Sequence, residues 1–246
     1  MNVSRRIYWP ASTLIGPGCV KEIGEDIKDL GLEKALIVTD KILNEIGVVK
    51  KVTDVLDKSG IKYKIVDDVR PNPTMKNIHD GLKVYQENKC DFIISIGGGS
   101  PQDAGKAIGI LAANGGEIKD YEGVKITKKK SVPIIAINTT AGTASEVTIF
   151  YVITNEEKHI KMVMVDKNCL ATIAVSDPEL MINKPAALTA ATGMDVLTHA
   201  VEAYVAKGAY ELTDVLALEE IKLVRESLKD AVKDGKLEIF IQKRSA

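Results

Sequence analysis

Residues 92–111 read FIISIGGGSPQDAGKAIGIL. Residues 92–96 make a short, largely apolar run that reads as a buried strand; Gly97-Gly98-Gly99-Ser100 turns the chain, and Pro101 suits the opening of a helix. In that helix Ala104, Ala107, Ile108 and Leu111 share one face, and Asn114-Gly115-Gly116 closes it. The same alternation runs outward in both directions. ALIVT at 35–39 is a strand, and 41–59 follows as one helix with Leu43, Ile46, Val49, Val52 and Leu56 at helical spacing. Residues 62–66 form the next strand, and Thr74 caps a helix to about Asn88 with Ile78, Leu82 and Tyr85 on one face. Val132–Ile137 is a further strand. Short strands alternating with longer helices are βαβ units and predict a parallel sheet. Ligands of such sheets bind beyond the carboxyl ends of the strands, which singles out Asp40, the 97–100 turn and 138–145.

The pattern then changes. Val147–Thr154 and Ile160–Val165, separated by the polar 155–159 turn, predict an antiparallel hairpin. From Pro178 the chain reads helical, chiefly over 185–204 and 212–232. The expected fold is α/β, an N-terminal Rossmann-like parallel-sheet domain with a β-hairpin, followed by an all-helical region. The boundary falls near Asp177 and divides 1–177 from 178–246.

Composition narrows the function classes. The 33 Lys+Arg against 34 Asp+Glu leave no basic excess for nucleic acid or an anionic membrane. No apolar run approaches the ~18 residues of a membrane span, and no signal peptide is expected. Cys19, Cys90 and Cys169 are odd in number and widely separated, which argues against a disulfide scaffold and for a cytoplasmic setting.

The strand–GGGS–helix turn offers free N–H groups and a positive helix end, a setting that suits phosphate. It matches neither GxGxxG, because Gln102 stands at the last glycine, nor the P-loop, because Ser100 and Ala107 replace the first glycine and the hydroxyl. Asp103 either serves the ligand or simply favours the helix dipole in the first turn. Asp40 either accepts ribose hydroxyls and repels a 2′-phosphate or caps the following helix. Four hydroxyl side chains in 138–145 (NTTAGTAS) make a polar rim. Asp195 and His199, at i and i+4, can present two ligands to one divalent ion or form a structural hydrogen bond.

GGGSPQDAGKAIG at 97–109, NTTAGTASEVT at 138–148 and GMDVLTHAVEAYV at 193–205 together resemble the iron-dependent (group III) alcohol dehydrogenases. GPGCVKEIG at 16–24, ALIVTD at 35–40 and PNPT at 71–74 extend the resemblance over about residues 5–234. Ala144 and Gly105 depart from it, standing where the family more often has Gly and Ala. The resemblance implies NAD as cofactor, with 1–177 as a dinucleotide-binding α/β domain and 178–246 as a partial, incomplete all-helical metal and substrate domain. Asp40 would face the adenosine ribose, Asn72 would line the cleft, and Gly98, Gly99 and Ser100 would hold the pyrophosphate, with Asp103 near the nicotinamide. Thr139, Thr140 and Thr143 would contact the cofactor from the opposite wall, with Lys161 and Leu180. Asp195 and His199 would be the first two ligands of a divalent metal, Fe2+ or Zn2+, that polarises a small primary alcohol or diol for hydride transfer.

The family's metal is held by one Asp and three His, whereas this sequence contains only His79, His159 and His199. The family-like pattern fades after Gly235, and KLEIFIQKRSA at 236–246 does not resemble it, so a C-terminally truncated chain with a weakly bound metal is expected. The reading is an NAD-linked, metal-dependent alcohol dehydrogenase impaired by missing ligands. Its alternatives are a catalytically inactive NAD-binding module and a glycerol dehydrogenase-like enzyme. Expected partners are a small alcohol or aldehyde and further copies of the chain, a homo-oligomer.

Overall fold

The computed structural model describes residues 4–182 and 184–234. The expectation for 236–246 lies outside them. In chain order the α/β part comprises β1 (Ser12–Ile15), α1 (Ile23–Asp29), β2 (Lys34–Val38), α2 (Lys41–Glu45), α3 (Val48–Ser59), β3 (Lys62–Val66), α4 (Met75–Glu87), β4 (Phe92–Gly97) and α5 (Gly99–Asn114). It continues through β5 (Gly123–Val124), β6 (Ile134–Asn138), β7 (Phe150–Asn155), β8 (Ile160–Val165) and β9 (Ile173–Ser176). Two long helices follow, α6 (Ala186–Val205) and α7 (Glu211–Lys233).

Six strands pair in the order β1-β9-β6-β4-β2-β3, and every pairing is parallel. β4 is buried along its whole length, so its alternating side chains feed two cores. Ile93 joins Leu36, Ala136, Ile78, Ala107 and Ile108 beneath α4 and α5. Phe92, Ile94 and Ile96 join Ile37, Ile135, Val52, Leu56 and Ile27 beneath α1 and α3. The chain runs from β2 outward to β3 and returns past β2 to β4. The strand order therefore reverses between β2 and β4, where a crevice opens at their carboxyl ends.

β7 and β8 form the antiparallel hairpin, to which β5 adds a short parallel strand. Three expectations are corrected. The single helix over 41–59 is two, because Gly47 takes φ 83° and breaks it. The segment 147–149 is not strand: a 3-10 turn occupies Ser145–Val147 and β7 begins at Phe150. The helix after the glycine turn starts at Gly99, two residues before Pro101, which puts Asp103 beyond the first turn. β1, β9 and α1 carried no sequence assignment. Among the described residues, no helix is long and apolar enough to cross a membrane.

Candidate cofactor cleft and metal half-site

The glycine turn brings the chain up from β4 into α5 beneath the loop that follows β6. A Cβ added to Gly98 would fall 2.8 Å from Thr140 Oγ1, so only glycine lets the two segments lie this close. The first-turn N–H groups of Gly99 and Ser100 have no acceptor within the helix and open toward the crevice. Here a cleft of about 370 Å³ lies between the start of α5 and the hairpin.

The cleft gathers six of the residues singled out from the sequence: Asn72, Gly99, Ser100, Asp103, Thr143 and Lys161. Pro73, Val152, Thr154 and Val163 complete its lining. The hairpin register explains the far wall, because Val152 pairs with Val163 and Thr154 with Lys161 on one face, giving an apolar band that ends in a polar rim. The 70–73 loop is stitched to both sides. Asn72 N–H donates to Ser100 Oγ at 3.3 Å, Thr154 Oγ1 donates to Asn72 O at 3.4 Å, and Thr154 N–H donates to Pro73 O at 2.8 Å.

The other expected residues lie around the cleft rather than on its lining. Thr140 sits over Gly98, its N–H donating to Asn138 Oδ1 at 3.0 Å. Thr139 is buried and donates its N–H to Gly97 O at 3.2 Å. Asp40 lies two residues past the end of β2, at the crevice, and caps α2, accepting from Leu43 N–H at 2.9 Å, so both sequence readings of it stay compatible. The Leu180 side chain is packed in the core with Val175 and Ile173. It can offer a ligand little but backbone.

Beneath the cleft lies a buried polar network that the sequence reading missed. Asp103 accepts from Ser145 Oγ at 2.9 Å and from Val152 N–H at 3.0 Å. Lys106 Nζ, fully enclosed, donates to Phe150 O at 2.7 Å and to Ser145 Oγ and Thr148 O at 3.0 Å each. Burial pushes the Lys106 ammonium down, against the pull of Cys169, Asp103 and Glu146. Burial raises both Asp103 and Glu146, with Lys106 opposing. Glu146 Oε1 accepts from Asn138 Nδ2 at 3.0 Å, while its Oε2 is buried without a hydrogen-bond partner. Gln102 is buried too, its amide donating to Ile137 O at 2.9 Å and Gly97 O at 3.3 Å. The only available signal was a Gln, an Asp and a Lys interrupting an otherwise apolar helix.

Asp195 and His199 share the exposed face of α6, with His199 Nε2 3.6 Å from Asp195 Oδ1 and side chains 54% and 41% exposed, His199 first. The loop after β6 reaches them. A Cβ on Gly142 would stand 3.1 Å from Thr192 Cβ and 3.5 Å from Asp195 Oδ2, so the loop after β6 and this helix are neighbours. His79 pairs with Glu117 at 3.1 Å, and His159 lies in the hairpin turn. Among the described residues, no group of three or more His, Cys, Asp or Glu side chains could hold a metal ion. Asp195 and His199 suit half of a divalent site and do not complete one.

A Rossmann-like sheet with a glycine cradle at its switch point, leading into a helical region that carries an Asp–His pair, defines a nucleotide-dependent oxidoreductase architecture. The chain belongs to the iron-containing alcohol dehydrogenase family. Residues 10–178 match the family's "Iron-containing alcohol dehydrogenase" profile, and residues 189–238 match "Fe-containing alcohol dehydrogenase family, C-terminal". It is 47% identical to the NAD-dependent methanol dehydrogenase of Bacillus methanolicus over 93% of this chain and 60% of that one. The crystal structure of 1,3-propanediol oxidoreductase superposes with a TM-score of 0.93 at 45% identity, over 98% of this chain and 64% of that one. Sulfoacetaldehyde reductase from Bifidobacterium kashiwanohense, in complex with NAD+, superposes with a TM-score of 0.92 at 32% identity, over 99% of this chain and 65% of that one. The chain thus spans about 60% of the length of the methanol dehydrogenase it matches.

Proposed function

We propose that the chain carries the NAD-binding part, and two metal ligands, of an alcohol dehydrogenase acting on small primary alcohols or diols and their aldehydes. The observation that carries this reading is the cleft between the α5 N-terminus and the hairpin, lined by Gly99, Ser100, Thr143 and Lys161. It fits a dinucleotide because the first-turn N–H groups of Gly99 and Ser100 have no acceptor within α5 and Lys161 stands on the opposite wall. In this reading residues 1–177 hold the cofactor and the helices from 178 begin the metal and substrate domain.

Gly99 and Ser100 would receive the pyrophosphate on their N–H groups, and Lys161 would add a positive charge across the cleft. Val152 and Val163 would exclude water from one face of the bound ring, while Asp40 would take the ribose hydroxyls. Bound there, NAD supplies the hydride acceptor. The two ligands on α6 do not complete a metal site, which favours, as a second reading, a nucleotide-binding module without turnover.

Titration with the two dinucleotides tests the cleft. NAD should bind more tightly than NADP, because the Asp40 carboxylate would meet the 2′-phosphate at close range. Equal or tighter NADP binding would remove this role from Asp40. Absence of binding by either would overturn the reading of the cleft.

Self-association belongs to the same proposal. Leu188, Val201 and Val205 on α6 and Val215, Leu216 and Leu218 on α7 are exposed apolar side chains, whereas Leu223 further along α7 is buried. Apolar patches of this kind usually recruit a partner. Light scattering at micromolar concentration should give a dimer or larger species, and a clean monomer would defeat the expectation.

A further inference from the structure

Lys106 is 1% exposed, lines no part of the cleft, and yet grips the segment that joins the cleft's two sides. Its acceptors all lie in six consecutive residues: Ser145 Oγ, Thr148 O, Thr148 Oγ1 and Phe150 O, at 3.0, 3.0, 3.3 and 2.7 Å. An ammonium has three N–H donors, so these acceptors use all of them. Asp103, one turn earlier on the same helix face, takes the Ser145 hydroxyl and the Val152 N–H. Helix α5 therefore holds residues 145–152 from below with a cation and an anion three positions apart. Beyond this segment the ladder continues into Val152–Val163 and Thr154–Lys161, the wall that faces Gly99 and Ser100.

A buried charge is costly unless its partners are well placed, and an apolar side chain would pack this space at lower cost. What an apolar side chain could not do is fix the carbonyls of Thr148 and Phe150, which set where β7 begins. We propose that Lys106 is a positioning residue for the cofactor cleft, holding the root of the hairpin so that Lys161 and Val163 stand opposite the α5 N-terminus. The proposal rests on the reading of the cleft as the NAD site. It predicts an asymmetry, because Lys106 holds the hairpin wall but neither Asp40 nor the glycine turn.

The test is calorimetric titration of NAD+ and of AMP, which lacks the second phosphate and the nicotinamide half, into the 246-residue chain and its Lys106→Met variant. NAD+ affinity should fall about tenfold or more, which corresponds to roughly 1.4 kcal/mol, while AMP affinity should stay within about twofold. A purely structural lysine would weaken both ligands together or neither, and either outcome would overturn the proposal. Failure of the unsubstituted chain to bind either ligand would instead bring down the cleft assignment and this inference with it. If Lys106→Met does not fold, Ser145→Ala removes the hydroxyl shared by Asp103 and Lys106 at smaller cost. It should show the same split in weaker form, and equal losses or none would again overturn the proposal.

Discussion

After dialysis the 246-residue chain should hold no stoichiometric iron or zinc, and NADH production from ethanol or 1,2-propanediol should be near background. A divalent ion that survives purification is held by three or four protein ligands whose orientation is fixed by further hydrogen bonds. Asp195 and His199 would supply two, on a half-exposed helix face, and the remaining histidines are engaged elsewhere or sit in the hairpin turn. Water can fill vacant positions but adds little affinity, so exchange should be fast. Without an electrophile at the alcohol oxygen the hydroxyl keeps its ordinary high pKa, and hydride departure is disfavoured by many orders of magnitude. NAD binding should survive, since none of the cleft residues lies on α6. Metal analysis together with alcohol-dependent absorbance at 340 nm decides the matter. Stoichiometric metal with robust turnover would mean that ligands come from a second subunit, and Asp195→Ala and His199→Ala would then each have to abolish metal retention.

Gln102→Leu should cost about 3 kcal/mol of folding stability and lower the melting temperature by roughly 6–12 °C. The Gln102 side chain is 1% exposed and lies between the carboxyl ends of β4 and β6. Its Nε2 is shared among Ile137 O, Gly97 O and Ser95 O, and its Oε1 accepts from the Ser95 hydroxyl. Leucine has a similar volume but withdraws the amide from Ile137 O and from the buried Ser95 hydroxyl, although Gly97 O keeps the Thr139 N–H, and a desolvated group left without its partner costs more than the hydrogen bond itself contributes. Gln102→Glu should be worse, because a carboxylate would face three carbonyl oxygens. Thermal unfolding of the three chains gives the order. A Gln102→Leu chain as stable as the parent would show that strand pairing alone holds this junction.

The glycine at position 102 in the common dinucleotide fingerprint serves close helix–strand packing. Here a hydrogen-bonding side chain joins the same helix and strands, which explains why a strict GxGxxG reading failed while the strand–turn–helix reading succeeded. The cleft was legible for a related reason. A ligand in a parallel sheet meets the carboxyl ends of the strands, and those ends were marked by local signals: Asp40 after ALIVT, the glycines after β4, and the threonines after β6.

Local chemistry sets the period of each strand and helix, the turn that glycine permits and the cap that Asp40 or Thr74 provides. Sequence alone therefore determined the βαβ succession, the hairpin, the two C-terminal helices and the Asp–His pair. Tertiary structure alone decided the edge of the sheet. β1 and β9 are four residues each and pair across more than 150 positions, and the Asp177 carboxylate, which locally only caps the turn at Pro178–Leu180, also accepts from the distant Gly18 and Val20 N–H groups. It alone also decided the fate of Gln102, Lys106 and Glu146. Helix α5 is enclosed on nearly every side from Pro101 to Leu111, so it has no solvent face to which its polar residues could be assigned. Whether such a residue is solvated or buried as a tether depends on what the fold packs against it, because its hydrogen-bond partners are carbonyls and hydroxyls brought there from tens of residues away.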